Sequence, residues 1–339
     1  MTKYFLLCGT FWLGCQRGTP YTDSKSQDTG SNTDSIILEE HDSAENVECH
    51  LEVGLNENNH FSAHFQQWLE LHPEYSSDLT RLDLNGGSFG GLLSEDDCVE
   101  REPVIFIHGN SDRASGGALG GWAQTREQYI NAGYRNAELY ATTYGPADFT
   151  MAEQYRHDAD TLIHIRQLIE AVLAYTGAEK VDIVAFSLGV TLARKAILGG
   201  AITYSNPLID LGAPLSNRID TFIGIAGANQ GLTSCYLSTS PTCSGVDGLY
   251  PGELFGFSVI NQSQIIQDIN SQSGYEGDYR FSIWSPDDEM LNYGCIVWGE
   301  NTAYLPNQTD TQSFAGLSHI LLKYQTVSTQ LSMLIDHEL

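Results

Sequence analysis

Basic residues are scarce in this chain. Sixteen lysines and arginines stand against 43 aspartates and glutamates in 339 residues, a formal net charge of −27. A surface of that sign repels phosphate backbones and anionic bilayers, so nucleic-acid binding is excluded and charge gives no help to membrane adsorption. Long apolar runs are missing too, none reaching the roughly 18 residues of a spanning helix. The seven cysteines contain no Cys-x-x-Cys, which excludes zinc ribbons and thioredoxin-like exchange. The glycine-rich stretch Gly86-Gly-Ser-Phe-Gly-Gly91 lacks the Gly-Lys-Ser/Thr of a phosphate loop and precedes the first expected strand. It is read as a lead-in packing beside that strand. No internal repeat is visible. What is present is apolar material for a core: 41% hydrophobic and 10% aromatic residues, enough for one large domain of about 250 residues with appendages.

The first residues read as an export signal. Met1-Thr-Lys3 is a short basic start, and Tyr4 to Leu13 is an apolar stretch too short to span a bilayer. Leu13-Gly14-Cys15 resembles the lipobox of bacterial lipoproteins, in which the cysteine is lipidated and becomes the new N-terminus. An ordinary secretory signal is the alternative, and either form is exported. Membrane contact is expected only through a lipid on Cys15. Residues 16–48 are rich in Ser, Thr, Asp, Asn and Gln and bury too little to fold, so an acidic flexible tether is expected before a folded domain at 49–339.

Export permits disulfides. Cys235 and Cys243 enclose a short loop, Tyr236 to Thr242, and form the best pair; Cys49 with Cys98 is a second. Beyond Cys8 and Cys15 the count is odd, which leaves one thiol over.

From residue 103 strand and helix signals alternate. Strands are predicted at 103–107, 138–142, 181–184, 221–225, 281–284 and 312–314. Apolar residues at helical spacing predict a helix over 155–175 closed by Gly177 as a C-cap, and a second helix spans 189–198. This rhythm implies an α/β fold, a mostly parallel sheet with helices on both faces.

The chemistry sits where the 181–184 strand meets its helix. Ala185-Phe186-Ser187-Leu188-Gly189 reads A-x-S-x-G, the alanine form of the nucleophile elbow. The turn is so sharp that only small residues fit two positions either side of the serine. A serine there projects its hydroxyl at the sheet's carboxyl edge beside a helix N-terminus. An oxyanion needs two backbone donors, one just after the nucleophile and one from the loop after an earlier strand. Leu188 and Asn110 (in His108-Gly-Asn-Ser111) hold those positions. His108 is read as a buried brace of that loop, and Asp112 as a residue fixing its shape. In chain order the acid and base follow the serine. His337 lies at the frayed end, so His319 is the base; Asp287 and Asp288, beyond the 281–284 strand, are the candidate acids. His60 and His64 have i, i+4 spacing without the glutamate of a zinc-protease motif, and are read as a solvated helix face.

These stretches resemble a known family. From about Gly86 to Leu334 the chain resembles the class 2 lipases of the α/β-hydrolase superfamily, and within them the extracellular poly(3-hydroxybutyrate) depolymerases that act on amorphous polymer. The resemblance is carried by Gly86–Gly91, Pro103-Val-Ile-Phe-Ile-His-Gly-Asn-Ser-Asp112, Ala174-Tyr-Thr-Gly177, Val181-Asp-Ile-Val-Ala185, Ser234-Cys-Tyr236 with Pro241-Thr-Cys243, and Asp288 with Tyr293-Gly-Cys295. It implies an α/β-hydrolase fold, favours Asp288 over Asp287, and matches Gly316 to His319 at the base. The family's usual His-Ser-Met elbow is here Phe186-Ser187-Leu188. A second cysteine that the depolymerases carry after their Gly-Cys is missing, which makes Cys295 the odd thiol.

The insertion at about 228–278 holds Tyr236, Leu249, Tyr250, Leu254, Phe255, Phe257, Ile260, Ile265 and Ile266. They form either an apolar cap over the nucleophile or a cover for a sheet face. The expected activity is that of an exported serine carboxylic-ester hydrolase working through an acyl-enzyme on an uncharged lipid or aliphatic polyester, with no metal or organic cofactor. The alternatives are a triacylglycerol lipase, a general carboxylesterase, or a catalytically inactive hydrolase fold that binds surfaces.

Overall fold

The computed structural model describes residues 59–339. The signal, the lipobox with Cys15, the tether, and the Cys49 member of the second cysteine pair lie outside the described residues.

A seven-stranded sheet forms the centre: β1 (Ser88–Phe89), β2 (Val104–Ile107), β3 (Leu139–Thr142), β4 (Val181–Phe186), β7 (Ile219–Ile225), β10 (Tyr279–Trp284) and β13 (Asp310–Ser313). Their order across the sheet is β1-β3-β2-β4-β7-β10-β13. Every neighbouring pair is parallel except β1 with β3. Three two-stranded ribbons lie outside it: β5 (Ala201–Ile202) with β6 (Ile209–Asp210), β8 (Glu253–Phe255) with β9 (Ser258–Ile260), and β11 (Ile296–Val297) with β12 (Glu300–Asn301).

The helices are α1 (Ala63–Leu71), α2 (Ala123–Asn131), α3 (Ala159–Thr176), α4 (Leu188–Leu198), α5 (Gln264–Ile269), α6 (His319–Gln325) and α7 (Val327–Ile335). They form two layers: α1, α3, α4 and α5 pack with one another, and so do α2, α6 and α7. Strands covered on both faces must be apolar throughout, which is why β2 reads Val-Ile-Phe-Ile and β4 is buried at every position. This is the α/β-hydrolase fold.

Several expected boundaries move. The helix expected at 155–175 begins at Ala159, because the Asp158 carboxylate caps it by accepting from the Thr161 N–H at 2.9 Å. Residues Phe149–Gln154, before it, form a 3-10 segment. The helix closes on Gly177 at φ 68°, ψ 9°, the left-handed cap that glycine adopts without a Cβ penalty. The last strand runs 310–313 rather than 312–314. The lead-in at 86–91 contains β1 itself, an edge strand pairing Ser88 with Thr142 and Phe89 with Ala141. The expected helix face bearing His60 and His64 is also corrected. Helix α1 starts at Ala63 after a Ser62 cap, so His60 precedes it, and His64 Nδ1 lies 2.6 Å from the Tyr175 hydroxyl.

The insertion splits into two parts. Leu249, Ile265 and Ile266 are buried, with α5 packed on α4, whereas Leu254, Phe255, Phe257 and Ile260 on the β8–β9 hairpin are exposed. Its base is bolted down by Arg194 of α4, which is fully buried. That guanidinium meets the Glu276 carboxylate at 2.9 Å and donates to Asn229 Oδ1, Asn270 Oδ1 and the Ile269 carbonyl.

Candidate active site

Strand β4, buried at every position, delivers Ser187 to the carboxyl edge of the sheet. Ser187 sits between β4 and α4 at φ 56°, ψ −126°, a strained conformation for a residue with a Cβ, and its N–H donates to the Ile225 carbonyl at 2.8 Å. A Cβ on Gly189 would fall 2.9 Å from the Ile107 carbonyl oxygen and closer still to that of His108. One on Gly109 would fall 2.9 Å from Phe186 Cδ1 and 3.0 Å from Ser187 Cβ. Glycine at both positions lets the β2 loop press against the elbow. Ser187 is half-buried, so its hydroxyl is reachable.

His319 is the first residue of α6, next to the carboxyl end of β13. Its Nε2 lies 2.9 Å from Ser187 Oγ and its Nδ1 2.7 Å from Asp288 Oδ2. An ionised carboxylate only accepts, so Nδ1 carries the proton and Nε2 is free to accept from the serine hydroxyl. Asp288 is buried, and its second oxygen accepts from the N–H groups of Met290 and Leu291 at 2.8 and 2.9 Å. The two neighbouring acids grip the same loop by its backbone. Asp287 Oδ2 accepts from the Gly316 N–H and Glu289 Oε2 from the His319 N–H. Three consecutive acids thus hold one loop, and Asp288 is the one facing the imidazole.

The loop that follows β2 is tied down through one carbonyl. Ala152 O accepts from Asn110 Nδ2 at 2.9 Å and from the Thr242 hydroxyl at 3.0 Å, which ties the β2 loop to the Cys235–Cys243 loop. Among the described residues the backbone N–H groups of Asn110 and Leu188 donate to no carbonyl. Donors left open at a helix N-terminus and in the facing loop are what a developing oxyanion requires. His108 is buried and stacked on Tyr144 with ring centroids 4.0 Å apart. It donates from Nδ1 to the Gly109 carbonyl, and Nε2 accepts from the Tyr144 N–H, so both nitrogens are occupied. Burial pushes its pKa down to about 4.

The cysteines divide as the short loop suggested: Cys235 and Cys243 are bridged, and Cys295 is a buried free thiol. Burial, with the nearby Asp288 carboxylate, pushes the Cys295 thiol up to about 12, so it stays protonated and donates to the Ser285 carbonyl at 3.1 Å.

A family model described as lipase (class 2) matches residues 101–332, about two thirds of the chain. The chain belongs to the class 2 lipases. Among solved structures this class 2 lipase is similar to Bacillus licheniformis lipase BlEst2 in its mature form, at 15% identity and a TM-score of 0.48 over 73% of this chain and 96% of that one. It is also similar to Aspergillus fumigatus lipase B, at 14% identity and a TM-score of 0.44. That match covers 70% of this chain but only half the length of the fungal protein. The propionate-bound thermophilic esterase Est2 of Thermogutta terrifontis follows at 15% identity and a TM-score of 0.40, covering 74% and 88%. Membership of the family makes the protein a carboxylic-ester hydrolase.

Two parts of this class 2 lipase's site escape sequence reasoning. Lys323 is fully buried behind the loop that follows β2, and Glu289 caps the base helix. Lys323 follows His319 by four residues on a helix, a spacing that puts both on one face. That was the available signal.

Proposed function

We propose that this lipase is an exported serine hydrolase that cleaves short-chain esters and amorphous poly(3-hydroxybutyrate) in preference to long-chain triglyceride. The observation that carries the mechanism is the unbroken chain from Ser187 Oγ through the His319 imidazole to Asp288, 2.9 and 2.7 Å long, at the strained elbow. His319 Nε2 takes the Ser187 proton as Oγ attacks the ester carbonyl. The N–H groups of Asn110 and Leu188 bind the oxyanion, and Asp288 opposes the imidazolium. The imidazolium then protonates the departing alcohol, leaving an acyl-enzyme, and water repeats the sequence to release the acid.

Apolar residues exposed around the carboxyl edge of the sheet support the substrate preference. They lie in the loops after β3 (Phe149, Met151), β7 (Leu237, Phe255, Phe257) and β10 (Tyr293). Those loops leave the same ends of the strands that present Ser187, Asp288 and His319. The Cys235–Cys243 bridge stiffens one of them, and Tyr236 within it packs edge-on against Trp298. Rigid aromatic surface docks on a solid polyester at low entropy cost. An uncharged polymer meets no penalty from a −27 surface. Export rests on the apolar start and Leu13-Gly14-Cys15, with lipidation at Cys15 and the acidic tether holding the domain off the membrane.

Ser187→Ala and His319→Ala are expected to lower kcat on p-nitrophenyl butyrate by about 10³–10⁶ with folding intact. A folded Ser187→Ala protein that keeps its activity refutes the mechanism. Faster turnover of triolein than of amorphous polymer at matched surface area refutes the preference. Detergent-phase partitioning abolished by Cys15→Ser checks the anchor.

A further inference from the structure

Resting on the catalytic reading of Ser187 and His319, we infer that the Asp112–Lys323 ion pair is a positioning strut that holds the oxyanion loop and the base helix at a fixed separation. Asp112 lies two residues beyond Asn110, and Lys323 one turn beyond His319, 211 residues further along the chain. Both side chains are buried, and Lys323 Nζ donates to Asp112 Oδ2 at 2.6 Å. The other carboxylate oxygen accepts from the Gly121 N–H at 3.1 Å, and the ammonium also reaches the Leu119 carbonyl at 3.4 Å. Both backbone contacts fall in the connection between β2 and α2, so the pair clamps that loop to α6.

The surroundings link the pair to the elbow as well. The ammonium lies 5.3 Å from the centroid of the Phe186 ring, 5.4 Å from that of Trp122 and 4.9 Å from that of Tyr324. Phe186 immediately precedes Ser187, and its ring packs at 4.7 Å from the His319 imidazole. One buried charge pair thus touches the loop that supplies one oxyanion donor, the residue before the nucleophile, and the helix that carries the base.

General stability does not account for such a pair. Replacing a buried ion pair by well-packed neutral groups is often neutral or stabilising, because desolvation cancels most of the Coulomb attraction. What a charge pair supplies that an apolar contact does not is a short, directional distance. The reaction needs that distance here, because oxyanion donors and base must act on opposite sides of one tetrahedral carbon, and a misplacement of about 1 Å costs on the order of 10² in rate.

The test is steady-state kinetics on p-nitrophenyl butyrate with the full chain, alongside thermal unfolding. Lys323→Met alone strands the Asp112 charge and is expected to unfold more easily. The near-isosteric double variant Asp112→Asn/Lys323→Met leaves no stranded charge, so its thermal midpoint is expected close to wild type. Its kcat is expected to fall by about 10- to 100-fold with KM within twofold. Affinity for phenylboronic acid, whose tetrahedral adduct on the serine places an anionic oxygen at the oxyanion position, is expected to fall by a similar factor. A folded double variant whose kcat falls threefold or less overturns the strut. So does a loss that appears in KM while boronate affinity is unchanged. Ser187→Ala in the same assay separates the two readings: if it is inactive while the double variant is fully active, only the strut fails.

Discussion

Substituting Gly189 by alanine tests how closely the β2 loop is pressed against the elbow. Its backbone lies in the first turn of α4 at an ordinary helical φ, so alanine would improve the intrinsic helix propensity by about 1 kcal/mol. The surroundings reverse that sign. The added methyl would stand 2.9 Å from the Ile107 carbonyl oxygen, 3.1 Å from the His108 carbonyl carbon and nearer still to its oxygen, where ordinary contact begins at 3.4 Å. All of these atoms are backbone, so no side chain can rotate away. The β2 loop must retreat on the order of 1 Å, at an overpacking cost of roughly 1–3 kcal/mol. That loop carries the Asn110 N–H, so the retreat draws the proposed oxyanion donor away from Ser187. The expected loss in kcat is on the order of 10²-fold with little change in KM. Gly177→Ala is the control. It is strained at φ 68° but meets nothing within 4 Å, so it is expected to lose about 1 kcal/mol of stability with kcat unchanged. Kinetics on a soluble ester with parallel thermal unfolding decide the matter. A Gly189→Ala enzyme with wild-type kcat and midpoint would refute the close approach and the oxyanion role drawn from it.

Acid should destabilise the fold steeply. Burial lowers His108 and His157 to about 4 and His164 to about 3, so between these values and 6.5 the unfolded chain binds protons that the folded one refuses. Asp182, pushed up by burial, acts in the opposite sense and offsets part of this uptake. The three histidines set an upper slope of about 4 kcal/mol per pH unit near pH 5, so stability falls as pH drops from 6.5 towards 4. Urea midpoints across that range measure it, and a flat profile would contradict the burial of these groups. Glu276→Gln strands the Arg194 charge at the base of the insertion and should cost about 3–5 kcal/mol by chemical denaturation; a loss under 1 kcal/mol would mean the insertion is held by other contacts. Phe255→Ser with Phe257→Ser should leave turnover of soluble p-nitrophenyl butyrate within twofold and reduce turnover of amorphous polyester several-fold. Equal loss on both substrates would rule out a surface-docking role for the hairpin.

Local chemistry was legible in the sequence wherever neighbours in the chain create the constraint. The A-x-S-x-G pattern around Ser187 can be read locally, although what keeps Gly189 small is the Ile107 and His108 backbone of the neighbouring strand. The alternation of buried strands and helices, the Gly177 cap and the short Cys235–Cys243 loop are local in the same sense, and each appears in the fold. Placing His319 used chain order, a glycine turn and the dismissal of His337 as frayed; in the fold His337 instead stacks on Tyr279 and meets Asp220.

Tertiary structure decided whatever depends on direction or on distant partners. Asp287, Asp288 and Glu289 are chemically near-equivalent, and only the path of the loop after β10 turns Asp288 to the imidazole and its neighbours to backbone N–H groups. The apolar residues of the insertion look alike in sequence. Packing on α4 buries Ile265 and Ile266, while a two-residue turn leaves Phe255 and Phe257 in water. Nothing in the sequence pairs Lys323 with Asp112, 211 residues earlier, and the fold brings them within 2.6 Å. No periodicity records such a pair, because its energy comes from desolvating two charges together, and that happens only once the sheet and both helix layers have closed around them.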